Sequence, residues 1–313
     1  MRLLLAQVSL LSETLSKQIS PWQLPLLAAQ NGFDGVEWLD RLLPSLEPRA
    51  LRRLGELCRQ AGVESNALSL SIPCDAGPSR LAADTRRCLD LLEACPSMEV
   101  GVVRVALARS GVNLGHLLAI LSSLRTNTAK RRDPLGWAGR LTYLAMARAG
   151  LARDQGHDKA PPPTPRAELD RAARVLTPLA QKAAEMSLTL GVENHWGISG
   201  RPDDLLYTIG RSHEYGLGVC LDLDNFYRDQ DPVAGVTALA PQAVHVHYKA
   251  HGGSARNEAD KLNYQVRLEA LRAVGYAGMF SVEYEGPPPG MSGSRRAAEV
   301  LRKLWEPESS SKE

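Results

Sequence analysis

Missing from this 313-residue sequence is any uninterrupted apolar run of about 18 or more residues, the length a helix needs to cross a bilayer, so no membrane span is expected. A charge of one sign is missing too. The formal net charge is +2, which gives no overall reason to expect a nucleic-acid or membrane partner. Cysteine is sparse: Cys58, Cys74, Cys88, Cys95 and Cys220 are odd in number, scattered and without CxxC spacing. That excludes a thiolate metal site and reads as reduced thiols in a cytoplasmic protein. No glycine-rich phosphate turn follows the first apolar run, which removes the signature of a doubly wound dinucleotide-binding sheet. The opening MRLLLAQVSLL carries a single arginine and no small-residue cleavage pattern, so it reads as a first strand and not as a signal peptide.

What is present is a rhythm. Strand-like and helix-like segments alternate from end to end, the pattern of a parallel sheet with crossover helices. Strands are expected at 2–8, 34–38, 63–70, 100–107, 188–193, 217–222, 243–248 and 278–283. Helical patterns follow at 20–31, 48–61, 80–94, 167–187, 202–213, 232–240, 263–274 and 293–304. Ser20-Pro21 and Pro202-Asp203-Asp204 mark helix starts, and Gly62, Gly191, Gly216 and Gly278 are placed in turns between helix and strand. Eight pairs predict an α/β fold of the (β/α)8 TIM-barrel type, one domain over 1–313, with a hydrophobic content of 44% to fill its core.

One stretch breaks the rhythm. The 108–166 insertion after the fourth strand is far longer than the roughly 2–6 residues of an ordinary βα loop. VNLGHLLAILSSLR and GWAGRLTYLAMARAGLA within it read as amphipathic helices, and GHDKAPPPTPR as a linker. From Arg109 to Arg166 there are ten Lys or Arg against three Asp, a local excess of +7. A basic, partly helical insertion at this point sits on the catalytic face, as a lid or a contact in a homo-oligomer; the plainer reading is a solvated helix pair.

The C-terminal half carries the chemistry. Four apolar runs reach a ligand-type residue: LTLGVE at Glu193, LGVCLD at Asp222, AVHVH at His247 and GMFSVE at Glu283. They recur once per strand-helix unit. Parallel neighbours in a barrel bring such residues to one point at the C-terminal ends of the strands. Three carboxylates and one imidazole form a hard set suited to one divalent ion, Mn²⁺ first, with Mg²⁺, Co²⁺ or Zn²⁺ as alternatives. Taken singly, each residue is as well read as a cap, a salt-bridge partner or a satisfied core histidine.

GFDGVEWLD at 32–40, GVENHWG at 191–197, GVCLDLDNFY at 218–227, HVHYK at 245–249 and GYAGMFSVEYEG at 275–286 together resemble the xylose isomerase-like TIM barrels, the sugar phosphate isomerase/epimerase superfamily. The resemblance covers nearly all the chain except the basic insertion. It implies Glu193, Asp222, His247 and Glu283 as metal ligands, with Glu193 and Glu283 also moving protons across the substrate. Glu285 is the alternate to Glu283, and His245 is expected on the opposite strand face from His247. Substrate contacts are expected from Glu37, Asn194, His195, Trp196, Asn225 and Lys249, each with a packing or hydrogen-bonding alternative. For Glu37 that alternative is a buried pair with Arg104. The family often has Asp after the Lys of HxHxK, and Ala250 stands there instead.

A divalent ion chelating adjacent carbonyl and hydroxyl oxygens acidifies the intervening C–H and stabilises the enediolate, so the resemblance implies a sugar isomerase or epimerase. A lyase, dehydratase or keto-glycoside-cleaving enzyme starts from the same proton abstraction. The family's AP-endonuclease-like branch needs more histidines for its three metals, and position 225 is Asn where that branch uses His, so a nucleic-acid substrate is not expected. A non-catalytic sugar-binding barrel leaves the retained ligands unexplained. The basic insertion points to a sugar phosphate or sugar acid as the small-molecule substrate. Reversing the charge of Arg131 and Arg132 then weakens substrate affinity several-fold; unchanged affinity makes the segment a bystander.

Overall fold

The computed structural model describes residues 1–108, 160–251, 258–286 and 288–305. Eight parallel strands close into a barrel in chain order, β1 Arg2–Ala6, β2 Gly35–Leu39, β3 Glu64–Pro73, β4 Val102–Ala108, β5 Thr189–Glu193, β6 Gly218–Asp222, β7 Ala243–Ala250 and β8 Met279–Tyr284. β1 pairs with β2 on one side and β8 on the other, so no sheet edge is left open. The crossover helices are Leu24–Gln30, Pro48–Ala61, Pro78–Met98, Arg166–Glu185, Pro202–Gly210, Pro232–Leu239, Glu258–Ala273 and Gly290–Trp305. The (β/α)8 architecture expected from the alternation is the one the chain forms. The helices expected inside the basic insertion, and its role as lid or subunit contact, fall outside the described residues. No helix among those described is long and apolar enough to cross a membrane.

Local chemistry sets the element ends. Pro48–Ala61 buries Leu51, Leu54, Gly55 and Cys58, a three-to-four-residue spacing that lines one helix face, and stops at Gly62 with φ 74°. Ser20 caps the turn Pro21–Gln23, while the Gln23 side chain returns 2.8 Å to the Ser20 amide. Gly191, expected in a turn, lies inside β5 instead. A Cβ there would come within 2.8 Å of the Cys220 amide nitrogen and of Val244, at the register slip between β6 and β7. β7 also runs past its expected end, so His247 is followed by three more strand residues, Tyr248, Lys249 and Ala250.

Strand alternation sorts the side chains into two sets. Leu3, Leu5, Val36, Trp38, Leu68, Leu70, Val103, Val105, Leu190, Val192, Val219, Leu221, Val246, Phe280 and Val282 belong to the large apolar core between strands and helices. The opposite parity faces the barrel interior. Its floor is a small separate apolar cluster, Leu4, Ala67 and Met279 with Val102 against it. Above that floor the interior turns polar: Glu37, Ser69, Arg104, Glu193, Asp222, His245, His247, Lys249, Ser281 and Glu283 are all buried. A barrel interior is ordinarily filled by branched apolar side chains, so this layer is the unusual part of the fold. Gly191→Ala should force β5 from β6 directly beneath that layer, an overpacking of about 1–3 kcal/mol. The check is a lower thermal midpoint by circular dichroism, and an unchanged midpoint would show that the gap opens freely.

A candidate metal centre at the top of the barrel

β5 and β6 end on Glu193 and Asp222, β8 carries Glu283 one residue from its end, and β7 carries His247 at mid-strand. Pairing of Asp222 with His247, and of His247 with Ser281, sets these positions side by side despite their separation in sequence. One potential ligand atom from each of Glu193, Asp222, His247 and Glu283 lies within 4.8 Å of all the others.

Three of the four are held through one atom and keep another without a hydrogen bond. Asp222 Oδ1 accepts the amides of Asp224 at 2.7 Å and Asn225 at 3.1 Å, while Oδ2 is buried without a hydrogen bond. Arg104 Nη2 donates to Glu193 Oε2, and Glu193 Oε1 is left without a partner. His247 Nε2 lies 3.1 and 3.0 Å from the two oxygens of Glu37. Its Nδ1, buried and without a hydrogen bond, faces Glu193 Oε1 and Glu283 Oε1, each 3.2 Å away. Buried polar atoms are rarely left without a hydrogen bond, and Glu193 Oε1 and His247 Nδ1 facing each other at 3.2 Å, with Asp222 Oδ2 met by Lys249 Nζ at 3.3 Å, need an explanation.

Charge supplies it. Glu37, Glu193, Asp222 and Glu283 are buried, and among the described residues the fixed cations buried with them are Arg104 and Lys249, which leaves this set two positive charges short. A divalent cation would close that deficit, and an all-oxygen-and-imidazole set fits a hard or borderline ion. The same imbalance shows in the acidities. Burial pushes the Asp222 carboxyl up to about 7, against Lys249 and with the charges of Glu193 and Glu283. Burial acts upward on Glu193 as well, but Arg104, His195 and His247 outweigh it and hold that carboxyl far below its usual range. Glu283 is held down at about 2, because His247 and Lys249 overcome the effect of burial. His247 goes the other way: burial disfavours its charge, yet Cys220, Glu37 and Glu283 raise it well above an ordinary imidazole.

The other expected site residues divide by where their polar atoms go. Asn194 is a strut: Nδ2 donates to Asp222 O at 2.9 Å and Oδ1 accepts from Asp222 N at 2.7 Å, because the side chain runs sideways into the β5–β6 seam. Its amide is therefore spent, and the expected substrate contact is not supported. Glu37 lies beneath His247 with Ser69 donating to Oε1 and His245 Nε2 3.4 Å from Oε2, away from the mouth where substrate would enter. The expected Glu37–Arg104 pair gives way to Arg104–Glu193. Lys249 donates to Asn225 Oδ1 at 3.0 Å and sits 3.3 Å from Asp222, 3.5 Å from Glu283 and 3.2 Å from Glu285. Asn225 keeps a buried Nδ2 without a partner. His195 and Trp196 are half-buried, and Trp196 meets Tyr227 edge to face at 5.2 Å.

His245 does not face away from His247. Residues two apart share a strand face, and the two rings lie inside the barrel with centroids 5.3 Å apart. Ser69, Ser281 and Cys220 also belong to this interior layer and went unread in the sequence. Their signal was parity, since each stands an even number of residues from a recognised interior position on its strand or pairs with one across the sheet.

A sequence model of the xylose isomerase-like TIM barrel family matches residues 25–304. No curated protein matches the chain by sequence. Among solved structures, D-psicose 3-epimerase with D-tagatose, from Clostridium cellulolyticum H10, superposes with a TM-score of 0.65 at 13% identity, covering 98% of this chain and 100% of that one. The IOLI protein with a bound zinc atom gives 0.61 at 13% identity, covering 97% and 96%. A probable 3-DHS dehydratase from Bacillus anthracis, involved in petrobactin synthesis, gives 0.60 at 14% identity, covering 96% and 99%. At these identities the structures establish the shared fold.

The charge deficit predicts uptake of one divalent ion per chain, measured by elemental analysis after equilibration and desalting. Because His247 must give up its proton to offer Nδ1, uptake releases protons and affinity falls as pH is lowered. Two ions per chain, or pH-independent affinity, would contradict this assignment.

Proposed function

The chain belongs to the xylose isomerase-like TIM barrel family, and from that membership and the geometry of its interior we propose a divalent-metal-dependent enzyme that shifts a proton on a keto sugar or related polyol, as a sugar isomerase or epimerase does. The observation that carries the reading is the convergence of buried ligand atoms from Glu193, Asp222, His247 and Glu283 within 4.8 Å of one another, in an interior where the described carboxylates outnumber the described fixed cations by two. Solved structures of the same fold include sugar epimerases and a dehydratase, which supports enzymatic use of the site.

Mn²⁺, Mg²⁺, Co²⁺ or Zn²⁺ held by these four residues would supply Lewis acidity toward a carbonyl and its neighbouring hydroxyl. The chain's own residues divide the remaining work. Glu283 is the better placed base: its Oε2 lies 3.5 Å from Lys249, whereas Glu193 has Oε2 committed to Arg104. Glu193 faces it from β5 and is the candidate to return the proton on the other side, the paired acid and base that epimerisation requires. Lys249 holds Asp222, Glu283 and Glu285 in place and can donate to a substrate oxygen. With three carboxylates around it, it is poorly suited to anchoring an anion. The spare Nδ2 of Asn225 suits a hydroxyl or carbonyl, and Trp196 with Tyr227 forms an aromatic wall against which a sugar face can lie.

Glu283→Gln keeps shape but removes the base and should lower turnover by at least about 100-fold, the usual scale of general-base loss. The assay is solvent deuterium incorporation by the metal-loaded protein into keto sugars, sugar phosphates and 3-keto glycosides. Normal exchange in the variant would sink the mechanism. Exchange in the wild type without net isomerisation would move the assignment to a lyase.

A further inference from the structure

We propose that Glu37 is the positioning residue of this centre, a strut across the barrel that fixes His247 with Nδ1 toward the cation and Nε2 protonated. The inference rests on the metal reading above. Glu37 stands on β2 and His247 on β7, strands separated in the barrel by β1 and β8, so the contact spans the interior and does not follow from strand pairing. Both Glu37 oxygens lie within about hydrogen-bond range of Nε2, at 3.1 and 3.0 Å, and the side chain is 2% exposed, so water does not compete.

The chemistry is one-directional. An ionised carboxylate only accepts hydrogen bonds, so the imidazole nitrogen facing it must carry the proton, and the remaining nitrogen of a neutral ring presents its lone pair. That nitrogen is Nδ1, the atom aimed at Glu193 and Glu283. Glu37 is itself held from two sides. Ser69 donates to Oε1, and His245, whose Nε2 is 2.9 Å from Ser281 Oγ, backs Oε2. Glu37, His245 and His247 form a second group close enough to hold an ion, but the His247 nitrogen that faces Glu37 is Nε2, at 3.1 and 3.0 Å, the one already taken up by that contact. An ion there would also bring two buried positive charges with no further carboxylate among the described residues to meet them, because the first ion would already balance the cluster. The arrangement therefore orients a ligand and does not make a second site.

Two measurements test this. In the zinc-loaded protein with ¹⁵N-labelled histidine, long-range ¹H–¹⁵N correlations should show His247 protonated at Nε2 and bound through Nδ1; the reverse assignment overturns the proposal whatever the variants do. Zinc affinity, by competition with a chromophoric chelator, should fall about 10–100-fold in Glu37→Ala, the usual cost of losing such a partner. Glu37→Gln, which retains an acceptor oxygen, should recover part of that loss. Should Glu37→Ala fail to fold by circular dichroism, Glu37→Gln and Ser69→Ala carry the affinity comparison, with Ser69→Ala the milder. Wild-type affinity in all folded variants overturns the proposal alone. Failure of the wild-type protein to bind zinc, manganese or cobalt overturns the metal reading and this inference with it.

Discussion

Among the described residues, four carboxylates are buried in one barrel interior with two fixed cations to meet them, and the rest of the structure depends on that imbalance. An unpaired buried charge costs several kcal/mol, so a fold carrying two uncompensated ones is stable only if something closes the deficit. The proton drawn onto His247 does part of this, and a divalent ion would do it fully. The apolar floor of Leu4, Ala67 and Met279 closes the barrel below the polar layer.

Around this core, three of the four ligands are fixed by different kinds of restraint. Glu193 is held by an ion pair with Arg104, Asp222 by two backbone amides of its own turn, and His247 by a carboxylate from across the barrel. The β6 turn is secured again from outside. Arg267 on Glu258–Ala273 donates to Asp224 Oδ1 at 3.0 Å and to Leu223 O, and the Tyr264 hydroxyl donates to Asp224 Oδ2. A helix that makes no contribution to the ligand set thus holds the loop bearing Asp222 and Asn225. Pre-organised ligands lose little freedom when an ion arrives, and proton transfer needs its base held to within about an ångström.

Much of this was legible in advance. The eight strand-helix pairs, the convergence of Glu193, Asp222, His247 and Glu283, and the family were all visible as spacing and motif. The losses are specific. Asn194, beside a ligand in an ENH motif, reads like a substrate residue, but its side chain spans the β5–β6 seam. Gly191 reads like a turn glycine, yet it stands inside a strand where a Cβ would strike the neighbouring backbone. His245 was misassigned although strand parity alone places it beside His247.

By itself, the sequence determined which residues face the interior, since alternation along a strand is a local property, and which of them have ligand chemistry. Only the tertiary structure decided who pairs with whom. Arg104 could have met Glu37 or Glu193, and Glu37 could have met substrate or His247; the choice follows from barrel stagger and closure, which set distances between strands far apart in the chain. No local pattern encodes those distances, because they are the joint outcome of all eight strand registers.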